Sequence, residues 1–578
     1  MSKPAYWQLP TLDEPVVSRL ALELGVHEPA ARVLAHRGYH DAASARRFLE
    51  APLSDLHDPF LLKDLRLAVE RLREAVQKRE RILLYGDYDA DGTTAVVLLK
   101  TAIKLAGGEV SHYVPNRLKE GYGMRGEVIE RAAADGVGLL ISLDTGIRAA
   151  EAVREATRLG VDVIITDHHL PEAELPAALA VLNPHRFDDT YPDKNLCGAG
   201  VAFKLAQALL GELGWPEEKL RRMTASLLKL VAIGTVADVV PLTGENRIFV
   251  KHGLEGLGTL RNPGLRALFQ VAGFAEGEIP TAGQIAFRIA PRLNAAGRMA
   301  DANDVIELLL TEDADRAREI AAQLHAFNLD RQQTESEIIQ RILEECSRVP
   351  VDDHQAALVV SGAGWHRGVV GIVANRLVER FHRPVIVLSE DAEEGLAQGS
   401  GRSVAKFHLL EALESMPDLF TRFGGHRQAV GVSLPIAKVD EFRARLNEYA
   451  AARLESADFR AHFALDGALD LREVTDESVA EILSLAPFGA GNPAPLFGVF
   501  DAVVAAAPVI WKERHLRVRL RQSGRTLVCR AWNFAARIEE VQAGARVDAV
   551  VQFEPDPYSE SRGYAPWCIT LRDVRPAR

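Results

Sequence analysis

Cysteine is scarce: Cys197, Cys346, Cys529 and Cys568 are the four in 578 residues, and no two form a CxxC pair. That scatter excludes a zinc ribbon and argues against a secreted disulfide framework, so a reducing cytoplasm is the expected location. Long apolar runs are missing too. The longest uncharged stretch, Ile482 to Phe500, is interrupted by three prolines and three glycines, a density that a bilayer-spanning helix does not tolerate, and no membrane span is expected. The opening MSKPAYWQLPTLDEP lacks the apolar segment of a secretory signal. Positive charge is not in excess: the net charge of −12 excludes a surface coated throughout for nucleic acid. A local basic channel remains open, because it depends on where charges sit and not on their sum. With 47% hydrophobic and 26% charged residues the chain is neither disordered nor fibrous, and its length calls for about three or four domains.

Residues 1–50 read as a small helical cap, with Trp7 near its start. Over 51–265 short β-branched runs alternate with helical ones, the pattern of a doubly wound parallel-sheet α/β domain. Strands are expected at RILLYGD (81–87), EVSHYVP (109–115), GLLISLD (138–144), VDVIITD (161–167) and AVLNP (180–184), with helices over 93–106, 125–135 and 147–159. Residues 266–350 form a connector whose stretch 311–348, free of glycine and proline, predicts one long charge-laced helix or two nearly in line. A second α/β domain is expected over 351–455. Short strands with frequent turns over 456–578 predict a small barrel such as an OB-fold.

The acidic residues are placed unusually. GDYDADG (86–92) puts Asp87, Asp89 and Asp91 in a turn between strand and helix, where carboxylates repel one another unless something positive lies between them. An EF-hand opens similarly, but TTAVVLLK supplies no glutamate at loop position 12. Alone, the turn reads equally well as a solvated acidic loop. The third strand, however, ends in LDTG with Asp144, and the fourth in TDHH with Asp167, His168 and His169. In an open parallel sheet such strand ends line one crevice. Asp238, in AIGTVADVVPL (232–242), reads alone as a helix cap or a core ion-pair partner and beside the others as a metal ligand. Oxygen donors with imidazole and no thiolate suit Mn²⁺ or Mg²⁺. Five carboxylates and a histidine exceed what one ion can use while holding water and substrate, so two ions are expected, at the roughly 3.5–4 Å spacing of two-metal phosphoryl chemistry.

In that order, GDYDADG, SLDTG, TDHH and GTVADVVPL resemble the four motifs of the DHH phosphoesterase superfamily, and GGHRQAVG (424–431) resembles the glycine-rich signature of the DHHA1 domain that follows in that family. The resemblance spans about residues 50–570. It implies a DHH domain joined by the long helix to a DHHA1 domain, with the OB-like barrel behind them. The implied activity is 5′→3′ removal of nucleotides from single-stranded DNA in recombination and repair. Carried over, the pattern gives one ion Asp89 and Asp144 and the other Asp91, Asp144, His168 and Asp238, with Asp144 bridging. Tyr85 stands where related enzymes often hold a histidine, so Asp87 is expected to compensate, directly or by orienting a ligand. His169 is expected to face the scissile phosphate.

For the strand itself, the loop PNRLKEGYGM (115–124) offers Arg117, Lys119 and Tyr122, a fork for phosphate and a ring for a base, or else an ordinary surface loop. PRLNAAGRM (291–299) supplies Arg292 and Arg298, with Arg288 a turn earlier. Ser400, Arg402 and Ser403, with Gly424, Gly425 and His426, lie among glycines that let amides approach a phosphate, or that merely make turns; the resemblance implies that they recognise a terminal nucleotide or its 5′-phosphate. His366 and Arg367 open a helix nearby. In the barrel, Arg517 and Arg519 head a basic strand face with Trp511 and Trp532 at hand, suited to backbone contact with a single strand. Duplex exclusion is expected if the second α/β domain roofs the crevice. Single-stranded DNA with a 5′ end is the expected partner, with a single-strand-binding protein or a helicase as candidate protein partners. Two other readings stand beside this one: a DHH phosphodiesterase acting on short oligonucleotides or cyclic dinucleotides, and a non-enzymatic scaffold.

Overall fold

The computed structural model describes residues 4–117, 120–121, 123–348 and 351–577. Lys119 and Tyr122 therefore lie outside the described residues. Two compact units divide the chain, one made of Gln8–His325 with Ala464–Arg578, the other of Ala326–Phe463 with the segment ending at Trp7. That segment runs into β1 (Tyr6–Gln8), which pairs with the strand His462–Ala464.

The larger unit opens with α1 (Glu14–Leu24), α2 (Glu28–His36) and α3 (Ala42–Glu50). The Asp13 carboxylate caps α1, Asp41 caps α3, and prolines stand in the first turns of α1 and α2. After α4 (Leu65–Lys78) come β2 (Arg81–Gly86), β3 (Glu109–Tyr113), β4 (Val137–Leu143), β5 (Asp162–Thr166) and β6 (Ala180–Leu182). They form one parallel sheet in the order β3-β2-β4-β5-β6. The central strands are buried almost throughout, which is why they lack polar alternation.

On one face α6 (Gly126–Ala134) and α7 (Ala150–Arg158) set Val128, Ile129, Val153 and Ala156 against Leu83, Tyr85, Leu140 and Ile165. Ile82, Leu84, Ile141 and Ile164 are also fully buried and, by strand alternation, point the other way. There α5 (Ala90–Leu105) and α8 (Gly198–Gly211) meet the sheet, backed by α9 (Glu217–Ala237), and α10 (Gly244–Leu257) packs on α9. The α5 helix starts at Ala90, ahead of the expected residue 93, because the Asp89 side chain caps it. The β6 strand stops at Leu182, short of the expected 184. Asn183 leaves the ladder to donate from Nδ2 to the His169 carbonyl at 2.9 Å, while its Oδ1 accepts from the His185 amide at 2.7 Å.

Ala314–Arg348 is a single helix, and the boundary between the units falls within it. The smaller unit holds a five-stranded sheet in the order Arg422–Gly425, Ala429–Pro435, Leu396–Arg402, Val385–Asp391, Leu358–Ala363, with the helix Val370–Phe381 packed against it.

At the C-terminus, strands Leu496–Val504, Arg546–Pro555, Trp567–Pro576, Arg525–Ala531, His515–Gln522 and Val509–Trp511 neighbour one another in that order. A further pairing of Val503 with Arg521 and Val504 with Leu520 closes the ring of an OB domain. As the alternation predicted, Leu516, Val518 and Leu520 are fully buried while Arg517, Arg519 and Arg521 are exposed. This barrel shares one core with the N-terminal helices, where Val17, Leu20 and Val33 join Val479, Phe497 and Val518. No helix among the described residues is long and apolar enough to cross a membrane.

Candidate metal centre

The turn after β2 depends on two glycines. A Cβ on Gly86 would lie 2.4 Å from Val96 Cγ2, and one on Gly92 would lie 2.7 Å from the Asp87 carbonyl oxygen. Only glycine permits so close a pass. Asp89 Oδ1 then accepts from the amides of Asp91 at 2.9 Å and Gly92 at 3.0 Å, and Asn294 Oδ1 accepts from the Ala90 amide at 2.7 Å. Asp91 is buried, with its two oxygens on the Gly198 and Ala199 amides at 2.6 and 2.9 Å, the positive end of α8. Asp144 follows β4 in the left-handed region, with φ +60°. His168 and His169 follow β5, and Asp238 is the C-cap of α9.

These segments converge at the carboxyl ends of the strands. His168 Nε2 lies 3.1 Å from Asp144 Oδ1, 3.6 Å from Asp238 Oδ2 and 3.9 Å from Asp91 Oδ2. Donor atoms of Asp91, His168 and Asp238 fall within 4.8 Å of one another, as do those of Asp87, Asp89 and Asp144, and those of Asp144, His168 and His169. Asp144 thus stands where the groups adjoin. Tyr85 is elsewhere: it sits in the core beside Tyr113 and donates from its hydroxyl to the Gly123 carbonyl at 3.1 Å. Asp87, two residues on, lies in the group with Asp89 and Asp144.

Crowding sets the protonation states. Burial, then the charges of Asp91 and Asp89, pushes the Asp238 carboxyl up to about 9. Burial and Asp89 raise Asp91 to about 6, against the pull of the amides it accepts from. Burial and neighbouring acids drive Asp87 and Asp144 well above the carboxylate range. Burial lowers His168 to about 4, leaving a neutral ring fit to ligate. Burial would lower His169 as well, but its hydrogen bond to Asp167, 2.7 Å from Nδ1 to Oδ1, raises it to about 9. Burial would raise Asp167, yet the His169 ring and backbone amides hold it low.

Divalent cations fit this pocket. Asp87 Oδ1 and Asp144 Oδ1 are buried without a hydrogen-bond partner, and five carboxylates with a neutral imidazole make a hard donor set. The Cys197 thiol, pushed up by burial and 3.5 Å from Thr235 Oγ1, supplies no thiolate. Ion entry must expel the protons held by Asp238 and Asp91. Mn²⁺ affinity is therefore expected to rise between pH 6 and 9, over the span in which these two groups ionise. With both carboxyls raised, the ion-free chain loses stability as pH rises from the ordinary carboxylate value of 3.8, up to about 6 on account of Asp91 and up to about 9 on account of Asp238. Calorimetry in two buffers of different ionisation heat checks the proton release. A pH-independent affinity would contradict it, and Asp238→Asn should flatten the profile.

The expected strand-binding residues divide. Arg117 reaches the site region, its guanidinium 5.0 Å from the Tyr88 ring centre, and the charge of Arg298 acts on the same tyrosine. Arg288 does not face the crevice: it donates to the Ala272 carbonyl and lies 3.9 Å from the Phe274 ring centre. Half-buried Arg292 donates to the Arg288 carbonyl. In the smaller unit Ser400, Gly431 and Gly424 form one cross-strand row, with Gly425 beside it, and Arg402 opposes Ala429, whose carbonyl accepts from the His426 amide at 2.8 Å. Ser403 instead donates to the Phe407 carbonyl, and Arg367 lies 3.4 Å from both Asp391 and Glu394. On the barrel, Arg517 lies 5.6 Å from the Trp511 ring centre, and Trp511 and Trp532 pack at 5.2 Å, with Arg519 exposed on the same strand face.

Sequence reasoning missed the glycines that make room for the acids. A Cβ on Gly198 would lie 2.5 Å from Asp144 Cβ, and one on Gly234 2.7 Å from Asp91 Oδ1. Glycine inside the otherwise helical runs CGAGVAF and LVAIGTVAD was the available signal.

Residues 81–235 match the model of the DHH family, N-terminal domain, 354–452 that of the DHHA1 domain, and 465–564 that of the RecJ OB domain. The single-stranded-DNA-specific exonuclease RecJ of Bacillus subtilis (strain 168) is 40% identical over 547 residues, 94% of this chain and 68% of that protein. RecJ of Dickeya dadantii (strain 3937) is 40% identical over 507 residues, 85% of this chain and 86% of that protein. The crystal structure of RecJ in complex with Mn²⁺ from Thermus thermophilus matches with a TM-score of 0.84 at 31% identity, covering 100% of this chain and 80% of that one. The Mg²⁺ complex from the same organism gives 0.78 at 30% identity, covering 99% and 79%. With its DHH, DHHA1 and OB modules in that order and these identities over most of its length, the chain belongs to the RecJ family of single-stranded-DNA-specific exonucleases.

Proposed function

We propose that this chain hydrolyses single-stranded DNA from its 5′ end, releasing mononucleotides in recombination and repair, with two Mn²⁺ or Mg²⁺ ions. The observation that carries the reading is the meeting of Asp87, Asp89, Asp91, Asp144, His168 and Asp238 at one end of the sheet. Asp89, Asp144 and Asp87 would hold one ion, and Asp91, Asp144, His168 and Asp238 the other. Bound there, the ions would supply an activated water and charge neutralisation on the phosphoryl oxygens.

The chain's own part is to orient and to move protons. Asp167 fixes the His169 ring through Nδ1 and keeps it protonated, so the ring is poised to donate to an oxygen of the scissile phosphate. Arg117 and Arg298 bring charge to the same end of the sheet, where a phosphate backbone would run. In this reading catalysis belongs to 51–265, and the cap (1–50) and connector (266–350) support it. Recognition of the terminal nucleotide falls to 351–455, through Ser400, Arg402, Gly424, Gly425 and His426, and holding of the strand to 456–578. A cytoplasmic location and supply of the 5′ end by a helicase or a single-strand-binding protein complete the proposal.

Digestion of 5′- and 3′-labelled single strands, duplex, short RNA and cyclic dinucleotide with Mn²⁺ tests it. Loss of the 5′ label first, on single strands, is the expected result; preference for the dinucleotide would reverse the ranking. Replacing Arg517 and Arg519 together by Ala should weaken binding of long strands and spare short ones. Each lost phosphate contact lowers the slope of log affinity against log salt by about 0.7, so the pair should lower it by about 1.4. Titrations at several salt concentrations read this, and an unchanged slope would remove the barrel face from the path of the strand.

A further inference from the structure

The uncharged stretch Ile482–Phe500 makes a turn over 486–492 that rests on the residues just after Asp238. Beyond Asp238 the chain reverses at Val239, whose φ is +61°, a region that a β-branched residue rarely occupies. The Val239 side chain is 68% exposed, so burial does not compensate for that conformation. The strain must be held from outside.

The C-terminal module holds it. The Leu242 amide donates to the Ala490 carbonyl at 2.7 Å; from the other side, Asn246 of α10 donates from Nδ2 to the Pro241 carbonyl at 3.1 Å. Gly491 has φ +69°, and a Cβ there would lie 2.9 Å from Pro241 Cβ; one on Gly489 would lie 2.7 Å from Leu242 Cδ1. The turn is braced in its own right. Buried Asn492 donates from Nδ2 to the Leu485 and Pro487 carbonyls at 3.0 and 2.8 Å. Buried Arg247 donates from Nη2 to the Ala486 carbonyl at 2.8 Å and from Nε to the Phe48 carbonyl at 2.6 Å.

We propose that the 486–492 turn is a positioning element for Asp238: by clamping Pro241 and Leu242 it holds the Val239 reversal, keeps the Asp238 carboxylate beside Asp91 and His168, and so sets the affinity of that group for its divalent ion. The proposal rests on the two-ion reading of the site. It makes the barrel a determinant of ion binding as well as a candidate grip on DNA.

The test is Mn²⁺ binding to the full chain, stripped with chelator and titrated while free Mn²⁺ is read by electron paramagnetic resonance. Two equivalents bound by the unaltered chain support the two-ion reading, and fewer than two would sink that reading whatever the variants do. Gly491→Ala is expected to lower the affinity for one ion about tenfold, the scale of releasing one strained residue. Single-strand binding in chelator should stay near that of the unaltered chain, and the unfolding temperature should fall by only a few degrees, the effect of one strained alanine. Adding Val239→Gly should restore the affinity to within about twofold, because glycine adopts that φ without the clamp. Gly489→Ala, which meets only the end of the Leu242 side chain, should shift the affinity in the same direction but less, and it stands in if Gly491→Ala does not fold. Unchanged affinity for both ions in the glycine variants, or a loss that Val239→Gly does not restore, would overturn the proposal.

Discussion

Asp144→Asn is expected to reduce cleavage by roughly 10³-fold or more while leaving single-strand binding nearly intact. Asp144 belongs to two of the three donor groups, is buried, and has an oxygen with no hydrogen-bond partner. It shares one group with Asp87 and Asp89 and lies 3.1 Å from His168 of the other, so losing its charge should weaken both proposed ion positions together. Asparagine is the informative substitute because it tolerates the φ of +60° found here, whereas alanine would add backbone strain to the loss of a ligand. Strand binding should survive because the proposed contacts, Arg117, Arg402 and the barrel arginines, lie on other elements. Single-turnover cleavage of a 5′-labelled strand, with binding measured in chelator, gives both numbers. Turnover within about tenfold of the unaltered chain would take the bridging position away from Asp144.

The second large effect is expected from a residue with no chemistry of its own. Gly198→Ala adds one methyl, 2.5 Å from Asp144 Cβ and 2.7 Å from its Oδ1. Room can come only from moving Asp144 or the start of α8, and that start supplies the two amides that hold Asp91. Either movement displaces a ligand. Misplacement on the order of 1 Å lowers turnover about 10²-fold, and overpacking should cost about 1–3 kcal/mol of stability. Thermal unfolding with and without Mn²⁺ separates the two effects: the stabilisation that Mn²⁺ gives should shrink in the variant. An alanine variant stabilised by Mn²⁺ as strongly as the parent would show that the pocket relaxes around the methyl.

How much of this was legible beforehand differs by element. The parallel sheet could be read because buried strands carry unbroken β-branched runs, and their ends delivered Asp144, His168 and His169 to one crevice without any knowledge of packing. The alternation of Leu516, Val518 and Leu520 with three arginines located the exposed barrel face for the same local reason. What escaped was set by distant contacts. Arg288 looked available but is spent on the Ala272 carbonyl and the Phe274 ring. Tyr85 looked like a replaced ligand but faces the core. Gly198 and Gly234 went unread, since nothing near them in sequence says that two carboxylates will lie against them.

The core shared by the first helices and the final barrel also bears on synthesis. Val17, Leu20 and Phe48 share one apolar cluster with Val33 and Leu34 nearby in the chain and with distant Val518, Val551 and Leu571. As the chain leaves the ribosome, the core that α1–α3 share with the barrel cannot be completed until Leu571 has followed Leu20 by more than five hundred residues. The sheet that carries the acids meets most of its packing partners far sooner, so the nascent chain should complete its acidic crevice well before α1–α3 and the barrel close on each other.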